Sequence, residues 1–223
     1  MNQDFKKIVL SWVSSSGKLT PKLIKKYETP LKEEDFDKVL KTINYSNNPD
    51  RISLHISLNL QFNTCLWILE DCARNIDSSS NDIASYKKGI DKFNQLRNNE
   101  IEILNDLIIE KYFPKMNTDT PLFSETPGSI LDRINIGFLK KYHYKKICKD
   151  FTECTETINI SMRRVSIIDK QVTDLADSLT YLLTSSINGS MHFKIYRQFK
   201  MYNDVRFKPG NNVGLSIKNS NDK

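Results

Sequence analysis

The stretch ISLHISLNLQFNTCLWILEDCA, residues 52–73, decides the fold. Ile52, Leu54, Ile56, Leu58, Leu60, Phe62, Leu66, Trp67, Ile68 and Leu69 leave it no solvated face of the usual kind. A helix apolar nearly all round lies inside a larger core or crosses a membrane. This one also carries His55, Asn59, Asn63, Glu70 and Arg74. At about 100° per residue these five fall within an arc of roughly 100°, and Asp71 lies about 60° further round. A membrane span needs roughly 18 or more nearly uncharged apolar residues, and these polar groups interrupt the run. Residues 52–60 nearly alternate, which is also a strand pattern. Length and the continuation to Arg74 favour a helix over Arg51–Asn75.

The partner stretch is IASYKKGIDKFNQLRNNEIEILNDLIIEKYF, read as a helix over Ile83–Phe113. Lys87, Asp91, Asn94, Asn98, Glu102 and Asn105 follow a helical repeat and form one stripe of about 80°. Ile90, Phe93, Leu96, Ile101, Leu104 and Ile108 form the apolar face beside it. Such a stripe is commonly the wet face of an amphipathic helix. The first helix has no evident wet side, so its polar groups face protein or a cleft, where they need partners. The short loop Asn75–Asp82 makes the two helices antiparallel neighbours, which brings the stripes together.

At 223 residues the chain suits one domain with a sizeable core. Seven Gly and seven Pro suit long helices and few tight turns. The net charge of +6 comes mainly from scattered Lys, with no Arg-rich block to argue strongly for nucleic acid. Cys65, Cys72, Cys148 and Cys154 form no C-x-x-C pair and no His sits at metal-finger spacing, which excludes the common zinc motifs. Cys65 and Cys72 read as core residues, and a disulfide framework is not expected. No secretory apolar segment begins the chain, so a reducing cytoplasm is the expected compartment.

Around the central pair, Phe5, Ile8, Val9 and Trp12 predict a short amphipathic helix that Ser14–Thr20 ends. Lys32–Tyr45 reads as another, with Asp50 as N-cap of the helix that follows. Pro114–Gly128 is a long loop, Ser129–Ile147 a helix, and Lys149–Ile187 one long helix serving mainly as scaffold. On the Ser129 helix, Asp132, Lys140 and His143 share an arc of about 80°, with Arg133 at its edge. The expected architecture is all-α: a single helical bundle over residues 1–208, with long antiparallel helices and a polar internal cleft. Residues 209–223 are read as a disordered tail.

Four stretches carry a resemblance: LWILEDCAR (66–74), KKGIDKFNQLRNNEIE (87–102), SETPGSILDRINIGFLKKYH (124–143) and YRQFKMYND (196–204). Over roughly residues 50–207 the chain resembles a bacterial all-helical family, the domain of unknown function family 4254. The resemblance implies a helical cytoplasmic protein and no established reaction. Genes of that family often sit near glycosyltransferases of surface-polysaccharide pathways, which is an association only. The matching polar positions are His55, Glu70, Asp71, Arg74, Lys87, Asp91, Asn94, Gln95, Arg97, Asn98 and Glu102 in the central pair. Further on they are Glu125, Thr126, Asp132, Arg133, Lys140 and His143, then Arg197, Gln198, Lys200, Tyr202, Asn203 and Asp204. Asn99 and Asn105 stand where the family usually has Asp, which weakens a divalent metal as cofactor.

Three readings of function follow. In the first, the cleft binds, and transforms, a small phosphorylated molecule such as a nucleotide or sugar nucleotide. His55, Glu70, Asp71, Asp91, Glu102, Asp132 and His143 would then serve acid–base chemistry. Arg74, Lys87, Arg97, Arg133, Lys140 and Arg197 would hold the anion, with Phe193–Asp204 closing the cleft. In the second, the stripes are a structural salt-bridge network of an accessory protein with a protein partner. In the third, Lys194, Arg197 and Lys200 with Phe193, Tyr196, Phe199 and Tyr202 bind nucleic acid.

Overall fold

The structure, a computed structural model, describes residues 4–27, 36, 39, 50–151 and 154–197. Among these residues the chain is an all-α bundle of five helices: α1 (Phe5–Lys26), α2 (Arg51–Arg74), α3 (Ser80–Tyr112), α4 (Pro127–Asp150) and α5 (Thr155–Ile187). Two short strands, β1 (Leu122–Phe123) and β2 (His192–Phe193), pair in parallel. No described helix is long and apolar enough to cross a membrane.

Local chemistry sets the helix ends. Ser79 caps α3 by accepting the Asp82 N–H, so the helix begins before the apolar repeat does. Thr126 and Ser129 form a reciprocal capping box, and Pro127 occupies the first turn of α4. Asp50 stands at the N-cap position of α2, but its side chain takes the Ser53 hydroxyl at 2.5 Å and Lys111 at 3.8 Å instead. Helix α4 ends at Asp150 and α5 starts at Thr155, so the long helix expected from Lys149 is broken there.

Helix α1 corrects another expectation. It runs unbroken through Ser14–Thr20 and past Pro21. The small residues are its contact face: Ser16 and Thr20 are buried, and the Thr20 hydroxyl donates to the Ser16 carbonyl at 2.8 Å. At Gly17 an added Cβ would lie 3.1 Å from the Phe138 ring, so glycine lets α1 approach α4 closely.

The contacts fix direction. Asp50 meets Lys111, His55 meets Glu100, and Gly89 lies against Leu69, so α2 and α3 are antiparallel. Lys141 with Asp169 and Tyr144 with Arg164 set α5 antiparallel to α4. Two apolar clusters hold the bundle. One joins Phe5, Trp12, Ile56, Leu104, Ile134, Leu179 and Phe193. The other joins Phe36, Leu60, Phe62, Leu69, Phe93 and Leu139. Polar residues enter this interior from three helices and form a layer: Asn59 on α2, Arg97 and Glu100 on α3, and Asp132 and Asn135 on α4.

Candidate functional site

Asp132 is the centre of that polar layer, with 3% of its surface exposed. Its Oδ1 accepts from Asn59 Nδ2 at 2.9 Å, Asn63 Nδ2 at 2.8 Å and Arg97 Nε at 2.9 Å. Its Oδ2 accepts from Arg97 Nη2 at 2.7 Å. These contacts fill the roughly four acceptor sites of a carboxylate. The paired donation by Arg97 is the fork geometry that only a guanidinium supplies, and the Asp132 hydrogen bond raises the Arg97 pKa. Asn135 donates to Asn59 Oδ1 at 2.8 Å and to the Ile56 carbonyl at 3.1 Å, while its own Oδ1 is buried without a partner. Beside this layer His55 Nδ1 meets Glu100 Oε2 at 2.6 Å.

One turn beyond Asn63, Trp67 stands at the junction of two clefts. A cleft of about 350 Å³ opens between α2, α3 and α4, lined among others by Asn63, Glu70, Asp71, Arg74, Asn94 and Arg97. Here Arg74 pairs with Glu70 at 2.9 Å, and Arg97 Nη1 reaches Asn94 Oδ1 at a long 3.4 Å. Asp71 is exposed, and its carboxylate holds no hydrogen bond among the described residues. The second cleft, about 500 Å³, is lined by Trp67, α4 and α5 through Lys140, His143, Tyr144, Arg164, Ile167 and Gln171. His143 stacks on Trp67 with ring centres 4.3 Å apart and planes 9° from parallel. Burial lowers the His143 pKa; the Asp71 charge opposes this and Lys146 adds to it.

The expected site residues therefore separate. Glu70, Asp71, Arg74, Asn94 and Arg97 share the first cleft, and Lys140 and His143 the second. His55 and Asp132 belong to the interior. Lys87 and Asp91 are exposed on α3 and line neither cleft, nor does the half-buried Asn98. Gln95 donates to Asn99 at 3.2 Å, and Arg133 pairs with Glu125. Arg197 lines neither of these two clefts. It pairs with Asp106 at 2.7 Å and Glu102 at 3.4 Å on α3. Lys200, Tyr202, Asn203 and Asp204 lie outside the described residues, as do the tail and nearly all of Lys32–Tyr45.

Asn105 also has a structural task. Its Oδ1 accepts the Gly128 N–H at 2.7 Å, capping the start of α4 from a neighbouring helix. Among the described residues no three His, Cys, Asp or Glu side chains gather as a metal ligand set.

The stripes missed Glu100, Asn135, Trp67, Arg164 and Gln171. Glu100 and Asn135 had a signal. Phe93, Arg97, Glu100, Leu104 and Ile108 follow a helical repeat, which places both charges on the buried line. Asn135 sits between Ile134 and Ile136 in a core run. Arg164 and Gln171 carry no local signal, because α5 reads as an ordinary amphipathic helix.

The class defined here is an all-α bundle crossed by a fixed polar layer and opening into charged clefts at Trp67. The family described as "Protein of unknown function (DUF4254)" matches residues 54–195, the span from α2 to β2. The chain belongs to that family. No curated protein matches it, and no solved structure does.

Proposed function

We propose that the protein binds a small phosphorylated molecule of the nucleotide or sugar-nucleotide class at the cleft between α2, α3 and α4. The observation that carries this reading is Arg97. Asp132 holds its guanidinium in one orientation, so its remaining N–H edge is a preorganised donor beside Asn63, Asn94 and Arg74. A volume of about 350 Å³ falls within the range of small-ligand sites, ~300–1,000 Å³. Asp71 would accept hydrogen bonds from ligand hydroxyls, and it is the carboxylate best placed for base chemistry if the ligand is turned over. A role in surface-polysaccharide metabolism would fit a sugar nucleotide.

The test is a thermal-shift screen of nucleotides and sugar nucleotides, with and without magnesium. A ligand at ~100 times its Kd adds about 2.7 kcal/mol of stability. A hit that Asp71→Asn and Asn94→Ala abolish, with unliganded melting unchanged, supports the reading. A flat screen would sink it.

A second reading applies to other residues. Asn59, Asn63, Asp132 and Asn135 behave as a register-setting network, since Asp132 has no acceptor capacity left for a ligand. This favours a purely structural role for the inner layer, and with it an accessory protein acting on a protein partner. Nucleic-acid binding through residues 192–204 has less support, because His192 and Phe193 are buried and Arg197 is engaged by carboxylates.

A further inference from the structure

The two clefts at Trp67 differ in charge, and the difference says where a phosphate goes. In the first cleft Arg97 is matched by Asp132 and Arg74 by Glu70, which leaves Asp71 as an uncompensated negative charge. A phosphate monoester carries about 1.5 to 2 negative charges at pH 7, so this cleft suits the ligand's neutral hydrogen-bonding part better than its phosphate. The second cleft has Lys140 and Arg164 in its lining and no carboxylate. Lys140 is exposed and has no ion pair among the described residues. Arg164 donates to the Tyr144 hydroxyl at 2.7 Å and lies over that ring at 5.5 Å, which positions its guanidinium while leaving it without a counter-charge. The rest of the lining is apolar or aromatic, with Trp67, Ile147, Ile167 and Ile168, and Gln171 supplies one neutral amide.

Building on the proposed ligand class, we infer that the phosphate sits in the cleft between α4 and α5, on Lys140 and Arg164. The ligand passes Trp67 to place its neutral hydrogen-bonding part against Asn94 and Asp71. The class is thereby narrowed to a phosphate ester with a planar or sugar ring, for which a nucleoside 5′-monophosphate is the simplest form. Trp67 is the element common to both clefts, and with His143 stacked on one of its faces the pair presents an aromatic wall to such a ring. Each cleft alone lies in the lower half of the ~300–1,000 Å³ range of ligand sites, so a ligand that uses both accounts for their adjacency.

The experiment uses the full chain and its own reporter. The protein has two tryptophans, and Trp12 is buried in the apolar cluster, so ligand-dependent fluorescence reports Trp67. Adenosine and uridine 5′-monophosphates, the matching nucleosides and two sugar nucleotides are titrated against wild type, Lys140→Gln, and Lys140→Gln/Arg164→Gln. A thermal melt of each protein checks folding. The expected result is monophosphate binding at least about tenfold weaker in the double variant, with the single variant intermediate. Nucleoside binding should be the same in all three. Wild-type binding that the double variant retains, or equal affinity for nucleoside and monophosphate, would overturn the phosphate placement and leave the ligand class standing. No binding of any of these molecules to wild type would overturn both.

Discussion

Asn63 and Trp67 sit one turn apart on α2, and their surroundings are opposite. Asn63 is buried and donates to Asp132 and Asn59. Trp67 borders two open clefts whose charged groups are exposed or half-exposed. The same helix thus carries a closed polar layer and, four residues later, a receptive one. Closure follows from partner count. Asp132 meets three donor side chains because α2, α3 and α4 all converge on it. Glu70, by contrast, finds its partner among the described residues within its own helix, at Arg74. Polar residues along a helix can therefore share a face without sharing a role.

The comparison breaks most directly at Arg97. Arg97→Gln leaves the Asp132 charge buried with only amide donors, and losing one member of a buried pair costs about 3–5 kcal/mol. For a domain of this size that lowers Tm by on the order of 10 °C. Urea denaturation should show the loss as a lower midpoint with an unchanged slope. A midpoint equal to wild type would mean that the inner layer is not structural. A smaller cost is expected at the start of α4. Asn105→Ala removes the cap on Gly128, and cap losses run about 0.5–2 kcal/mol. Gly128→Ala should cost about 1–3 kcal/mol, because a Cβ there would press on the Ile101 carbonyl and lie 2.8 Å from Asn105 Oδ1. The same denaturation series would reveal either one as neutral.

His143 links the clefts to pH. Its folded pKa is lowered, first by burial, below the ordinary 6.5. The unfolded chain then takes up the proton first, so folding stability is level above about pH 6.5 and falls as pH drops below it. His143→Phe keeps a ring on Trp67 and removes this slope. Melting the two proteins from pH 7.5 to 5.5 should show the variant gaining on wild type as pH falls, and parallel curves would contradict it. The smallest effect is expected at the cleft rim. Asp71→Asn and Asn94→Ala should change unfolding free energy by no more than about 0.5 kcal/mol, as surface substitutions do. A large loss at either residue would move the rim into the structural layer.

Much of the frame was legible. The apolar run of α2, the stripe of α3 and the charged arc of α4 located three helices to within a few residues, because periodicity and caps are local properties. Ser14–Thr20 misled, since a run of small residues reads as a break until a neighbour, Phe138, is seen to need the space. How the polar residues would group was not legible. Glu70, Asp71, Arg74, Asn94 and Arg97 do meet, while Glu102 turns to Arg197 and His55 to Glu100. Angular position on one helix gives a direction, and what stands in that direction depends on the helix opposite.

The sequence by itself determined an all-α chain, because side chains at 3.6-residue spacing can bury their apolar faces in no other way. It also determined that polar groups would enter the core, since α2 has no wet face to hold them. Only the tertiary structure decided which of them are closed off. Helix rotation and spacing placed Arg97 and two asparagines around Asp132, and left Asp71, Lys140 and Arg164 facing open space at Trp67. A carboxylate's role is fixed by how many donors reach it, and those donors come from helices far apart in the chain.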